Sequence, residues 1–211
     1  MARYPGTGPL DDAALARISQ AVAQAESGTS AEIRVVVLTR PVIEHPFYPV
    51  LWAAAAALAL PWLLLLAMPF RPLSLLAIQA GVFLALAGLL SLPAMARLTV
   101  PVQVRRAAAR AAALDRFLTL GIHLTDSRTG LMILVAVPDR LVEVVADAAI
   151  QSALGPQASA AICAAVAGQG RAGDLASGIV TGVSLAGQQL AAPFPRRPHD
   201  RNELADHVIV A

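Results

Sequence analysis

Six polar side chains have the types and placement to do chemistry in this chain: Glu32, Asp126, Arg128, Asp139, Arg140 and Asp147. The carboxylates Glu32, Asp126, Asp139 and Asp147 offer hard oxygen ligands of the kind that hold Ca2+ or Mg2+. A divalent ion beside Arg128 would bind a phosphate ester and neutralise the charge that develops on it. On that reading the catalytic candidates are Glu32, Asp139, Asp147 and Arg128. Each residue also has a plain structural reading. Asp126 can cap a turn, Asp139-Arg140 can form a solvated turn with a weak ion pair, and Glu32 can pair with an arginine. The choice depends on whether the fold gathers them at one point.

Other chemistries fare worse. Cys163 is the only cysteine, which excludes an intramolecular disulfide and a thiolate metal cluster. Its neighbours Ala160, Ala161, Ile162, Ala164, Ala165 and Val166 make it a small helical residue rather than an activated thiol. The histidines His45, His123, His199 and His207 show no metal-ligand spacing. Gly168, Gly170 and Gly173 have dinucleotide-motif spacing but join two expected helices, whereas that motif follows a strand. No G-x-S-x-G elbow is present. Every Lys/Arg cation is arginine, and a net charge of +2 over 211 residues does not suggest a nucleic-acid partner.

The elements that would position these residues are interrupted by a strongly apolar segment. Hydrophobic residues make up 57% and charged residues 14% of the chain, against about 25% charged in ordinary soluble domains. Between His45 and Ala96 the only charged side chain is Arg71. The flanking runs, Val50 to Phe70 and about Leu73 to Met95, are long enough to cross a bilayer core of about 30 Å. Arg71 sits in Pro69-Phe70-Arg71-Pro72, which predicts a tight turn at the far surface, because an arginine at the bilayer centre costs at least about 2.5 kcal/mol. Arg34 and Arg40 precede the hairpin, and Arg97, Arg105, Arg106 and Arg110 follow it. The positive-inside rule then puts both soluble segments, and both termini, in the cytoplasm. Ala77, Gly81 and Ala85, four apart, give the second helix a face for close packing. The plainer expectation is that it packs on the first helix; the sharper one is another integral membrane protein.

The soluble segments read as one split α/β domain. Asp11 or Asp12 caps a helix carrying Leu15, Ile18, Val22 and Ala25, with a stop at Gly28. Glu32 to Leu38 is a strand. After the hairpin, Val102 to Leu120 reads as a helix, and Leu131 to Val137 as a strand covered on both faces. Arg140 to Ala146 reads as an antiparallel third strand, and Pro156 to Ala167 and Asp174 to Ala191 as helices. The tail from Pro193 reads as loose, with Val208 to Val210 able to dock.

These segments resemble the TPM-domain family. Ala25-Glu26 with Thr29 to Val35 is similar to its first strand signature. His123-Leu124-Thr125 and Arg128 to Ile133 are similar to the second, and Asp139-Arg140 with Val142 to Asp147 and Ile150 to the third. Gly170 to Ile179 with Asn202-Glu203-Leu204 and Asp206 resembles the close of the bacterial membrane branch, which carries a two-helix insertion. The resemblance implies a small α/β sandwich split by a transmembrane hairpin. The first part of the domain is then 1–45, the hairpin 46–96, the second part 97–195 and the tail 196–211. It also implies roles that range from an acid phosphatase to assembly and repair of membrane complexes. This chain departs from the family where glycine is replaced, at Ala31 and in Asp147-Ala148-Ala149-Ile150. Alanines there weaken an anion- or metal-binding loop. The resulting expectation is a bacterial inner-membrane protein. It would act as an accessory, assembly or maintenance factor of a larger membrane complex, and the alternative is a Ca2+- or Mg2+-dependent phosphatase.

Overall fold

The computed structural model describes residues 10–65, 71–125, 128–197 and 206–211. Asp126, Asn202-Glu203-Leu204, and Pro69 and Phe70 of the expected hairpin turn lie outside the described residues. The chain forms two compact units, Met1–Val42 with Arg106–Ala211, and Ile43–Arg105.

The first unit is a mixed α/β domain with helices on both faces of a four-stranded sheet. Strands β1 (Glu32–Leu38), β2 (Gly130–Ala136), β3 (Leu141–Ala146) and β4 (Ile209–Val210) lie in the order β3-β2-β1-β4. β1 pairs in parallel with both β2 and β4, and β3 is antiparallel to β2, as the short turn between them requires. The central strands read as continuous apolar runs because both faces are covered. Period-two alternation divides them. Ile33, Val35 and Val37 with Leu131, Ile133 and Val135 face one core. Val36 and Leu38 with Met132, Leu134 and Ala136 face the other.

The first core is closed by three helices. Helix α1 (Asp12–Glu26) begins where Asp11 accepts the Ala14 N–H at 2.7 Å, and it buries Ala14, Ile18, Ala21 and Val22 at helical spacing. The other two, from the C-terminal half, are Ala148–Arg171 and Leu175–Ala191, and both contribute buried side chains. The last of these packs unusually close. A Cβ at Gly178 would lie 2.7 Å from the Val166 carbonyl, and one at Gly187 would lie 2.7 Å from the Ala25 Cβ. The second core is closed by the helix Val102–Thr119 through Ala113 and Phe117, with Ile122 from the short turn that follows.

In chain order the helices after α1 are α2 (Phe47–Leu65), α3 (Pro72–Leu90), α4 (Pro93–Thr99), α5 (Val102–Thr119), α6 (Ala148–Arg171) and α7 (Leu175–Ala191). The helix expected from Pro156 forms: the non-helical Gly155 (φ 68°, ψ 173°) separates it from a preceding helical stretch that starts at Ala148, and α6 denotes the two together. One expectation changes. The third strand starts at Leu141, because Arg140 (φ 55°) completes the turn. The end of the tail docks as expected: Ala211 donates to Val37 O at 2.9 Å and accepts from Thr39 N at 2.7 Å.

The outer edge of β3 is guarded. Arg110 donates to the Val144 carbonyl at 2.7 Å and sits 3.8 Å from Glu143. An unguarded edge is a template for intermolecular pairing. Replacing Arg110 by alanine should therefore lower stability by about 1 kcal/mol while promoting self-association. Unfolding and light scattering at several concentrations read the two effects, and a variant as monodisperse as the parent would refute the guarding role.

The second unit is helical. α2 turns Pro49, Ala53, Ala57 and Pro61, four residues apart, inward, and packs on α3 and α4. Trp52 Nε1 donates to Thr99 O at 2.9 Å. Arg71 is the exposed residue before α3, with Pro72 in the first turn, where a proline costs no hydrogen bond. α3 is long and apolar enough to cross a membrane, and the described apolar stretch of α2, Phe47–Leu63, is shorter. Leu58, Trp62, Leu73, Leu76 and Leu84 are each more than half exposed. Ala77, Gly81 and Ala85 are exposed as well. The small-residue face is therefore not the one α3 turns to α2, and a Cβ at Gly81 would meet nothing within 4 Å.

Candidate functional site

The strand register separates the candidate residues into two groups. Glu32 pairs with Gly130 at the start of the parallel strands, and Leu38 pairs with Ala136 at their end. Glu32, Arg128 and Asp147 belong to the first end. Asp139 and Arg140 belong to the second, about 20 Å away at strand rise. Glu32, Asp139 and Asp147 thus do not converge on one point.

At the first end, Asp147 is held as a structural clamp. Its Oδ2 accepts the Gly130 N–H at 2.9 Å, and its own N–H donates to Gly130 O at 2.9 Å. Glu32 is buried, and its N–H donates to Thr129 O at 3.0 Å. Threonine hydroxyls stitch the loops here: Thr129 Oγ1 donates to Ser30 O at 3.0 Å, and Thr29 Oγ1 to Phe194 O at 2.6 Å. Arg128 is exposed in a left-handed backbone conformation, φ 49°.

The most perturbed carboxyl of this end was not among the candidates. Glu26 accepts the Ile33 N–H on Oε1 at 2.7 Å. Burial, with Glu32 and Asp206 close by, pushes its pKa up to about 8, against the pull of the Ile33 hydrogen bond. Arg34 shares this pocket of carboxylates and extends toward His207 O at 3.5 Å. A sequence signal existed. Glu26 is the last residue of α1, where the helix dipole disfavours an ionised carboxylate.

At the second end, Asp139 is buried and its Oδ2 accepts the Val42 N–H at 2.8 Å. Beside it lies a cavity of about 240 Å3, formed by the end of β2, the start of β3 and the junction of α6 with α7. Arg140 and Arg171 are its charged lining residues, and Gly170 and Gly173 of the dinucleotide-like spacing line it too. Those glycines turn the chain from α6 into α7 with no preceding strand; Gly173 has φ 95°. The open α/β rule, which favours the carboxyl ends of parallel strands for ligands, points to this end.

The other chemistry-bearing groups are quiet. Burial, with Glu143 nearby, pushes the Cys163 thiol up to about 11, so it is not a thiolate nucleophile at neutral pH. Burial also raises Glu143, with Arg110 opposing. Among the described residues no three His, Cys, Asp or Glu side chains are grouped to hold a metal ion. Asp139 and Asp147 each commit a carboxylate oxygen to a backbone N–H. The described residues therefore do not fit a Ca2+ or Mg2+ centre.

Comparison with known proteins agrees with this architecture. The sequence model of the TPM domain matches residues 95–189, which hold α5, β2, β3, α6 and most of α7. The BA42 protein of the psychrophilic bacterium Bizionia argentinensis, solved by NMR, is similar to the whole chain. The TM-score is 0.62 at 19% identity, with 100% of each chain covered. At that identity the likeness is one of fold. No curated protein matches the chain.

Proposed function

We propose that the chain is a membrane-anchored TPM-like module of the bacterial inner membrane, acting as an accessory, assembly or maintenance factor of a larger membrane protein complex. The supporting observation is the exposed Ala77, Gly81 and Ala85 face of α3. It stands on a helix long and apolar enough to span a bilayer, and it stays exposed while that helix packs on α2 and α4. Small residues at this spacing let a second helix approach closely in lipid. The hairpin 46–96 is the anchor, and both termini are cytoplasmic, following the arginine distribution on either side of it. The phosphatase reading is the weaker one, since its carboxylates are divided between two ends of the sheet and engaged by backbone N–H groups.

Gly81→Leu tests the partner face. The new side chain projects into open space, so the unit should fold and stay in the membrane fraction. Co-purification of a partner after gentle solubilisation should fall by about tenfold. A parent protein that is monomeric and partner-free in native membranes would remove the accessory role. One that stays in the supernatant without detergent would remove the anchor.

A further inference from the structure

We infer that the cavity at the carboxyl end of the sheet binds a small organic carboxylate, with its head group on Arg140 and Arg171 and its apolar body on Val135, Val142, Val166 and Leu175. This site lies within the α/β domain, and the inference does not depend on membrane attachment.

The lining supplies the chemistry. Its charged residues are two guanidiniums and no carboxylate, and among the described residues neither Arg140 nor Arg171 is in an ion pair. Guanidinium groups match the planar geometry of a carboxylate. The rest of the lining is mainly aliphatic, which suits one anionic head on an apolar body better than a fully hydrated dianion. The volume of about 240 Å3 is enough for a small aromatic or branched acid.

The backbone supplies an independent observation. Arg140 occupies a left-handed position, φ 55°, at the end of the β2–β3 turn. Glycine or asparagine fits that position at lower cost, and a bulkier residue there is strained by about 1 kcal/mol. Arg128 shares this conformation (φ 49°), but of the two only Arg140 lines the cavity, where the strained position holds a guanidinium-bearing residue at its edge. Arg171, the last residue of α6, lines the same cavity, and both arginines are exposed to an incoming ligand.

The test is calorimetric titration of the full chain, in a non-ionic detergent, with benzoate, phenyl phosphate and benzyl alcohol as probes. Benzoate should bind at least tenfold more tightly than benzyl alcohol. Arg171→Gln and Arg140→Gly should each weaken benzoate at least tenfold. Arg140→Gly also relieves the backbone, so it should unfold no earlier than the parent, and lost binding in that variant cannot be ascribed to misfolding. Benzoate binding no better than the neutral alcohol, or unchanged in both variants, would overturn the site. Tighter binding of phenyl phosphate than of benzoate would overturn the carboxylate assignment.

Discussion

Gly130→Ala should cost the domain about 3 kcal/mol, near the top of the range for inserting a methyl group into a filled site. The added Cβ would meet the backbone carbonyl and the Cγ2 of Ile122 and would come within 3.2 Å of Asp147 Oδ2. A carbonyl cannot swing aside as a side-chain end can. The turn carrying Ile122, which is fully buried in the second core, must move off β2. The same shift pulls on the paired Asp147–Gly130 hydrogen bonds that fix where β3 ends. Denaturant unfolding should show an earlier midpoint with an unchanged slope. Gly168→Ala is the matched control: nothing lies within 4 Å of its would-be Cβ, and it sits inside α6. That change should stabilise by up to about 1 kcal/mol. Equal effects from the two substitutions would show that the close approach at Gly130 has been misread.

The second large effect is a pH dependence centred on Glu26. Its folded pKa of about 8 lies above the ordinary value of 4.5, so between those limits the folded protein binds more protons than the unfolded chain. Stability therefore falls as pH rises through that window and levels off above it. The full shift would amount to several kcal/mol, and allowing for partial solvent access leaves about 2 kcal/mol. Glu26→Gln keeps an acceptor for the Ile33 N–H and carries no proton to lose. It should remove the slope and make the protein at pH 8 about 2 kcal/mol more stable than the parent. Since Asp206 lies beside Glu26 and leads into β4, amide exchange at Val210 and Ala211 should quicken in the parent above pH 8 but not in the variant. A parent whose stability is flat from pH 5 to 8 would refute the assignment.

Much of the domain was legible from residues alone, and the reasons are local. β1 and β2 each carry an apolar run bounded by turn residues, and the pattern leaves little choice of element. The antiparallel β3 follows from the short Pro138-Asp139 connection. The boundary at Gly155-Pro156 is legible because glycine takes the non-helical conformation and proline fits a first helical turn, whereas the helical stretch from Ala148 carries no such signal. The site was less legible. Asp139 in the β2–β3 turn and Asp147 after β3 lie at opposite ends of an antiparallel hairpin, and only the parallel register of β1 with β2 places Glu32 at the Asp147 end. Glu26 and Arg171 do not stand out in the sequence because each sits in the last turn of a helix, where charge ordinarily reads as solvated surface. The α3 stripe was visible as a spacing, whereas the inner face of α2, set by Pro49, Ala53, Ala57 and Pro61, emerged only from the packing.

The parallel pairing of β1 with β2 has a consequence for biogenesis. Residues 39–129 separate the two strands, and such a wide separation makes closure slow. A nascent chain completes α1, β1 and the whole apolar hairpin before the neighbour of β1 has been made. β1 thus spends that interval as an unsheltered apolar edge, a template for wrong pairing. The short strand Ile209–Val210 can cover its other side only once it too has emerged, later than β2. Chains stalled before residue 130 should therefore engage holding chaperones through β1, and release should coincide with the emergence of β2.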